Sequence, residues 1–178
     1  MSGIAKWQSF ALCGERCPSI MIGKKRKRRN CGLRRKEENT LKNKGILPDT
    51  CAWIDYFRPG GSVLGQLVER AIASDFVYAC GPVLYELIQG ARSEKEQASL
   101  TGALGALPYL EMTEALWIKA GQLSAVLRKT GKNIPLSDIL IATLAIEHSL
   151  AVMTVDEHFR LIPGVLIDTS VQVETNRA

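Results

Sequence analysis

The sequence predicts an α/β fold, with helices packed on a parallel sheet, and three observations predict it. Short apolar runs alternate with amphipathic stretches from Ile46 to Ile167, and strands alternating with helices imply a parallel sheet joined by right-handed crossovers. The chain has 178 residues and 46% hydrophobic content, room for one domain with a real core plus an appendage. Acidic residues recur beside the apolar runs, and in parallel α/β folds the crevice outside the carboxyl ends of the strands is where ligands bind.

The formal net charge of +5 conceals two different materials. Residues 1–44 hold 13 of the 23 basic residues and 3 of the 18 acidic ones, a local net of +10; the remainder has 10 basic against 15 acidic residues. The block Lys24-Lys25-Arg26-Lys27-Arg28-Arg29, followed by Arg34-Arg35-Lys36, repels itself and shows no helical or strand period. Residues 1–44 are therefore expected to be a basic, disordered N-terminal extension, and residues 45–178 the folded domain. Such an arm has two readings: a salt-sensitive grip on nucleic-acid phosphates, or an extension without a role. The five cysteines, at positions 13, 17, 31, 51 and 80, form no regular framework and their count is odd, which points to reduced thiols and a cytoplasmic location. Cys13, Cys17 and Cys31 have no nearby histidine to complete a zinc site, so zinc is not expected. No apolar run approaches the ~20 residues of a membrane span, and no secretory signal is expected.

Taken in order, Ile46–Asp49 reads as a strand that turns directly into a helix over residues 51–58, broken by Arg58-Pro59-Gly60-Gly61. Ser62 caps a helix through Ala73, whose apolar positions Val63, Leu64, Leu67, Val68 and Ile72 keep helical spacing. Phe76–Cys80 is a second strand, and Pro82 suits the first turn of the helix that follows and stops at Gly90. Ser93 opens another helix, Leu107–Leu110 is a weak third strand, and Thr113 caps a long helix ending in Arg128-Lys129. After the breaker Thr130-Gly131-Lys132-Asn133, Ile139–Ile146 is apolar on nearly every side and therefore a buried helix, with Ser137-Asp138 at its start. Leu150–Thr154 and Val165–Ile167 are the last two strands.

Four acids punctuate this pattern. Asp49 ends the first strand, Glu86 lies in the helix after the second, Asp138 opens the buried helix, and Asp156 follows the fourth strand. Parallel strands with right-handed connections bring these ends to one rim. Carboxylates within ~5 Å of one another repel by roughly 3 kcal/mol per pair at an effective dielectric near 20, so protons or cations must offset them. Oxygen-only donors select a hard divalent cation, Mg²⁺ or Mn²⁺. Each acid also has a structural reading: Asp49 as an N-cap, Asp138 at a positive helix end, Glu86 as a solvated helix residue, Asp156 as the cap of a short turn. Asp55 reads as a surface residue or one that supports the acids from behind, and His148 as a surface or boundary residue rather than a base. His158, near Asp156, reads as a packing or hydrogen-bonding residue in that turn, with a role as a base as the alternative.

The segments LPDTCAWIDYF, PVLYELIQG, IPLSDILIATLA and LAVMTVDEHF, in this order and spacing, resemble the PIN-domain fold, in particular the toxin nucleases of VapBC-type toxin–antitoxin modules, over residues 45–168. The resemblance implies a three-layer α/β/α sandwich around the parallel sheet, usually dimeric, acting as a Mg²⁺-dependent endoribonuclease on RNA and held inactive by a cognate antitoxin. It implies that Asp49, Glu86, Asp138 and Asp156 form the catalytic and metal-binding site, with Thr50 and Thr154 as hydroxyl residues beside the metal, and that Mn²⁺ can substitute. A PIN fold that binds nucleic acid or a partner without catalysis is the alternative. Two positions depart from the family pattern: Pro48 stands where an apolar residue of a central strand is usual and cannot donate to the ladder, and Cys51 replaces a position often held by Ser or Asn. Residues 1–44 have no counterpart in compact members. Exposed apolar helix surface is expected for the dimer or the antitoxin, with Trp53, Tyr56 and Phe57 as candidates against a core role.

Overall fold

A computed structural model describes residues 45–60, 62–74 and 76–168. The basic extension and Cys13, Cys17 and Cys31 lie outside the described residues. Along the chain run β1 (Ile46–Pro48), α1 (Thr50–Phe57), α2 (Val63–Ala73), β2 (Ala79–Cys80), α3 (Gly81–Gly90), α4 (Glu94–Gly105), β3 (Tyr109–Leu110), α5 (Glu114–Lys129), α6 (Leu136–His148), β4 (Ala151–Met153), a 3₁₀ turn (Glu157–Leu161) and β5 (Leu166–Ile167).

Every strand pairing is parallel. β4 lies between β1 and β5, and β2 pairs with β3. The two groups meet at a single bridge, Ile46 against Val77, where the Ile46 N–H donates to the Phe76 carbonyl at 2.7 Å and the Tyr78 N–H to the Ile46 carbonyl at 3.0 Å. The spatial order is therefore β3-β2-β1-β4-β5, with β1 central. Successive residues of a central strand point their hydrogen-bonding groups to alternate neighbours. Ile46 serves β2, Asp49 donates to the Met153 carbonyl of β4 at 3.0 Å, and Pro48 is the next residue due to face β2. Proline has no N–H to offer, so the β1–β2 ladder stops after one rung. Of the strand expected over residues 76–80, Ala79–Cys80 pairs with β3 while Val77 is bridged to Ile46, and the third strand, expected from Leu107, begins at Tyr109. The register of β1 on β4 is unbroken through Pro48, which pairs with Met153.

Helices cover both faces, giving the three-layer α/β/α sandwich. α2 lies over the face carrying Ile46 and Met153; α6 packs against β4, α3 and α5. Ile139 to Ala145 of α6 are all buried, as a helix apolar all round must be. It ends on Ser149 in the left-handed conformation (φ 55°), whose tight corner lets the Leu150 N–H reach the Ala145 carbonyl and start β4 two residues later. Ser62, Ser93 and Thr113 cap α2, α4 and α5 through their hydroxyls, as their positions before the apolar stripes predict. Trp53 is core, only 1% exposed, stacked on Phe57 and edge-on to Tyr56, which are half-buried. α1 and α2 approach so closely that a Cβ on Gly65 would sit 2.8 Å from the Asp55 carbonyl oxygen.

Candidate functional site

The C-terminal end of β1 places the first acid. Asp49 is the N-cap of α1: its Oδ1 accepts the Thr50 N–H at 2.7 Å, and its Oδ2 accepts the Thr154 hydroxyl at 3.0 Å and the Cys51 thiol at 3.2 Å. The structural reading and the site reading of Asp49 thus coexist in one side chain, which is 5% exposed. Thr154 follows β4, and the same hydroxyl oxygen accepts the Asp156 N–H at 2.9 Å. One hydroxyl therefore fixes the ends of β1 and β4 relative to each other. Thr50 does the same toward α3, donating through Oγ1 to Glu86 Oε2 at 2.5 Å.

Asp138 lies in the first turn of α6, where helix-end amides favour negative charge. It is 8% exposed, and its Oδ2 is buried without a hydrogen-bond donor; Ser137 donates to Oδ1 at a long 3.4 Å. Asp156 caps the 3₁₀ turn by accepting the His158 N–H on Oδ1 at 3.0 Å. That turn swings the His158 ring back, so that Nδ1 sits 3.2 Å from Asp138 Oδ2 and 3.1 Å from Asp156 Oδ1.

The electrostatics link all four acids. Burial pushes the Asp138 carboxyl up to about 6, and the charges of Asp49 and Asp156 push the same way; His158 opposes them, and Glu86 adds a smaller upward push. Burial also raises Asp49 above the ordinary carboxylate range, against the donors Cys51, Thr50 and Thr154 and with the charge of Glu86. The four expected acids and both expected threonines occupy one end of the sheet, as the topology requires. Asp55 sits apart, pairing with Arg58 at 3.4 Å and accepting the Ser62 hydroxyl at 3.1 Å, and His148 is exposed.

Two neighbours of the acids are more than packing. Cys51 is a thiol held protonated, its pKa pushed to about 12 by burial and then by the Asp49 charge, and it serves as a donor to that carboxylate. His158 joins Asp138 and Asp156 in a group whose ligand atoms all lie within 4.8 Å of one another. Its spacing of two from Asp156 was the available signal, but only the cap geometry of the 3₁₀ turn decides where the ring goes.

The arrangement suits a divalent cation: oxygen donors predominate, and a buried carboxylate oxygen on Asp138 lacks any donor. Comparison with known proteins agrees with this fold. The chain is 31% identical over 124 residues to the VapC ribonuclease Mb1587 of Mycobacterium bovis, an alignment covering 67% of this chain and 92% of that protein. It is 28% identical over 105 residues to ribonuclease VapC21 of Mycobacterium tuberculosis, covering 57% of this chain and 73% of that protein. Among solved structures, DNA-bound VapBC from Salmonella typhimurium superposes with a TM-score of 0.58 at 27% identity, covering 70% of this chain and 96% of that one. VapBC2 from Rickettsia felis, bound to a DNA fragment from its promoter, has the same fold with a TM-score of 0.60 at 22% identity, covering 69% and 96%. The PIN domain family matches residues 46–165, and with the strand order and the converging acids already seen, the chain belongs to the PIN-domain family.

Proposed function

We propose that the chain is a divalent-metal-dependent endoribonuclease and the toxin of a type II toxin–antitoxin module. The observation that carries this reading is the convergence of the acids at the end of the sheet, where Thr154 joins Asp49 to Asp156, Thr50 holds Glu86, and His158 lies against both Asp138 and Asp156. The VapC ribonucleases among its relatives and the DNA-bound VapBC among its structural neighbours support it. Asp49, Glu86, Asp138 and Asp156 would hold Mg²⁺, with Mn²⁺ able to substitute, and Thr50 and Thr154 would fix the orientation of the acids. When bound, such an ion acidifies water and offsets charge developing on the phosphate.

The chain's own contributions follow from the contacts. Asp49 is immobilised by three donors, so its carboxylate is preorganised before any substrate arrives. In the metal-free protein the Asp138 carboxyl, raised to about 6 by burial and by its acidic neighbours and with no aligned donor on Oδ2, holds a proton where a cation would otherwise sit. Thr50 keeps Glu86 turned toward the group. RNA is the substrate in this reading, a cognate antitoxin the partner, and a homodimer the assembly, in the cytoplasm. The exposed Trp117 and Ile118 on α5 and Tyr85 on α3 supply apolar surface for partners. Among the described residues, no helix is long and apolar enough to cross a membrane. Residues 45–178 form the nuclease domain and residues 1–44 an extension outside the catalytic unit.

Digestion of total RNA with Mg²⁺, with Mn²⁺ or with EDTA, mapping the cut ends, tests the proposal. Metal-dependent cleavage that Asp49→Asn and Asp138→Asn each abolish is the expected result. RNA binding without cleavage under every condition would instead indicate a non-catalytic binding protein.

A further inference from the structure

We infer that His158 is a nitrogen ligand of the site's metal ion, and that this makes the site prefer Mn²⁺ over Mg²⁺. The inference rests on the proposed metal site and adds a donor of a different chemical kind to it.

His158 Nδ1 lies 3.2 Å from Asp138 Oδ2 and 3.1 Å from Asp156 Oδ1. An imidazole lodged between two carboxylates is ordinarily a hydrogen-bonded counter-ion. Here the ring stands at ion-pair distance from both acids, yet neither His158 Nδ1 nor Asp138 Oδ2 makes an aligned hydrogen bond although both atoms are buried. Polar atoms that converge at such distances without pointing hydrogens at one another are arranged as ligands around a point between them. Two donors at right angles around an octahedral ion are separated by about 2.9 Å when each bond is 2.0–2.1 Å, the Mg²⁺ range, and by about 3.3–3.7 Å for Ca²⁺. Separations of 3.1 and 3.2 Å lie within the span that two donors on one divalent ion bridge.

The donor type chooses among such ions. Mg²⁺ takes carboxylates, carbonyls and water, whereas imidazole favours the first-row transition ions, among which Mn²⁺ is the one that shares the preference of Mg²⁺ for carboxylate and water. The 3₁₀ turn already anchors the ring from both sides. The His158 N–H donates to Asp156 Oδ1 at 3.0 Å, and Phe159, next in the chain, is buried at 1% exposure. Ligation through Nδ1 therefore requires no rearrangement of the turn.

The test uses the full chain stripped with chelator and titrated separately with MnCl₂ and MgCl₂ by calorimetry, with pulsed electron paramagnetic resonance on the Mn²⁺-loaded protein. Expected are a clear ¹⁴N modulation from a directly bound imidazole and an affinity for Mn²⁺ about tenfold or more above that for Mg²⁺. His158→Ala and His158→Gln, checked for folding by circular dichroism, should both lose the modulation and reduce Mn²⁺ affinity about tenfold or more, with a smaller change for Mg²⁺. Wild-type protein that binds Mn²⁺ without ¹⁴N modulation, or His158 variants that bind Mn²⁺ as tightly or more tightly, would overturn the inference and leave the carboxylate site standing. Failure of the site itself reads differently: Mn²⁺ binding untouched by Asp138→Asn, or no Mn²⁺ binding by the wild type, would remove both.

Discussion

Asp138 is a residue whose ionisation is at odds with its surroundings. Its carboxyl is raised to about 6 in the folded chain from an ordinary value of 3.8, so between those values the native state binds more protons than the unfolded one. Stability from this group is full below the lower value and is lost as pH rises through about 6, a change of about 3 kcal/mol in the metal-free protein. Asp138→Asn should remove that penalty. Calorimetric melts in EDTA at pH 7 should show the variant about 2 °C or more above wild type, with activity abolished. Mn²⁺ at a hundredfold excess over Kd should add about 2.7 kcal/mol to the wild type and much less to the variant. A variant melting below wild type in EDTA would mark Asp138 as a plain helix-end charge. Thr154 carries a different load, since one oxygen donates to Asp49 and accepts from Asp156. Thr154→Val keeps the shape and should cost about 1–3 kcal/mol in urea unfolding and at least tenfold in cleavage rate, whereas Cys51→Ser, which preserves a donor, should leave cleavage within a few-fold. Asp49, Glu86, Asp138 and Asp156 were legible in the sequence because strand order alone sends them to one rim. His158 was legible only as a candidate beside Asp156, because the direction of its ring depends on a side-chain cap that periodicity does not encode.

At the level of elements, the helices were legible nearly to their ends because caps and apolar stripes are local signals, and Ser62, Ser93 and Thr113 sit where such signals put them. Strands were less legible: β2 and β3 have two residues each, too few for an alternating pattern to mark their ends. The effect of Pro48 was visible as an irregularity, but its outcome, an intact register on β4 and a ladder cut short toward β2, depends on which side of the strand the missing N–H faces. Aromatic residues on an amphipathic helix were equally ambiguous, and Trp53 proved to be core while its helical neighbours Tyr56 and Phe57 are half-buried. The α1–α2 crossing gives a prediction with an internal control. Gly65→Ala places a methyl group 2.8 Å from the Asp55 carbonyl oxygen, a backbone atom that cannot swing aside, and should destabilise by about 1–3 kcal/mol. Gly121→Ala in α5 meets nothing within 4 Å and should stabilise by about 0.5–1 kcal/mol. Guanidinium titrations of both variants decide whether it is the close approach or the helix propensity that governs.

For the molecule as a whole, the charge division between residues 1–44 and the rest predicts separable roles. A chain beginning at Gly45 should fold and cut the same RNA at the same bond, with weaker binding and a shallower dependence on salt, read from filter binding at several KCl concentrations. A truncated chain that folds and cuts nowhere would place the arm inside the catalytic unit. The single rung between β1 and β2 has a consequence for the whole body. It leaves a seam across the sheet, with β3, β2 and the helix bearing Glu86 on one side and Asp49, Asp138 and Asp156 on the other. Two hydrogen-bonded contacts cross that seam among the described residues, the Ile46 rung at one end and the Thr50–Glu86 hydrogen bond at the other, beside the packing of α3 on α1 and α6. Parting there needs far fewer broken bonds than global unfolding, so in native-state hydrogen exchange the Tyr78 amide should open sub-globally while the Leu150 amide waits for complete unfolding. Thr50→Val should quicken exchange at Tyr78 and spare Leu150, a signature of a sheet that breathes along one line.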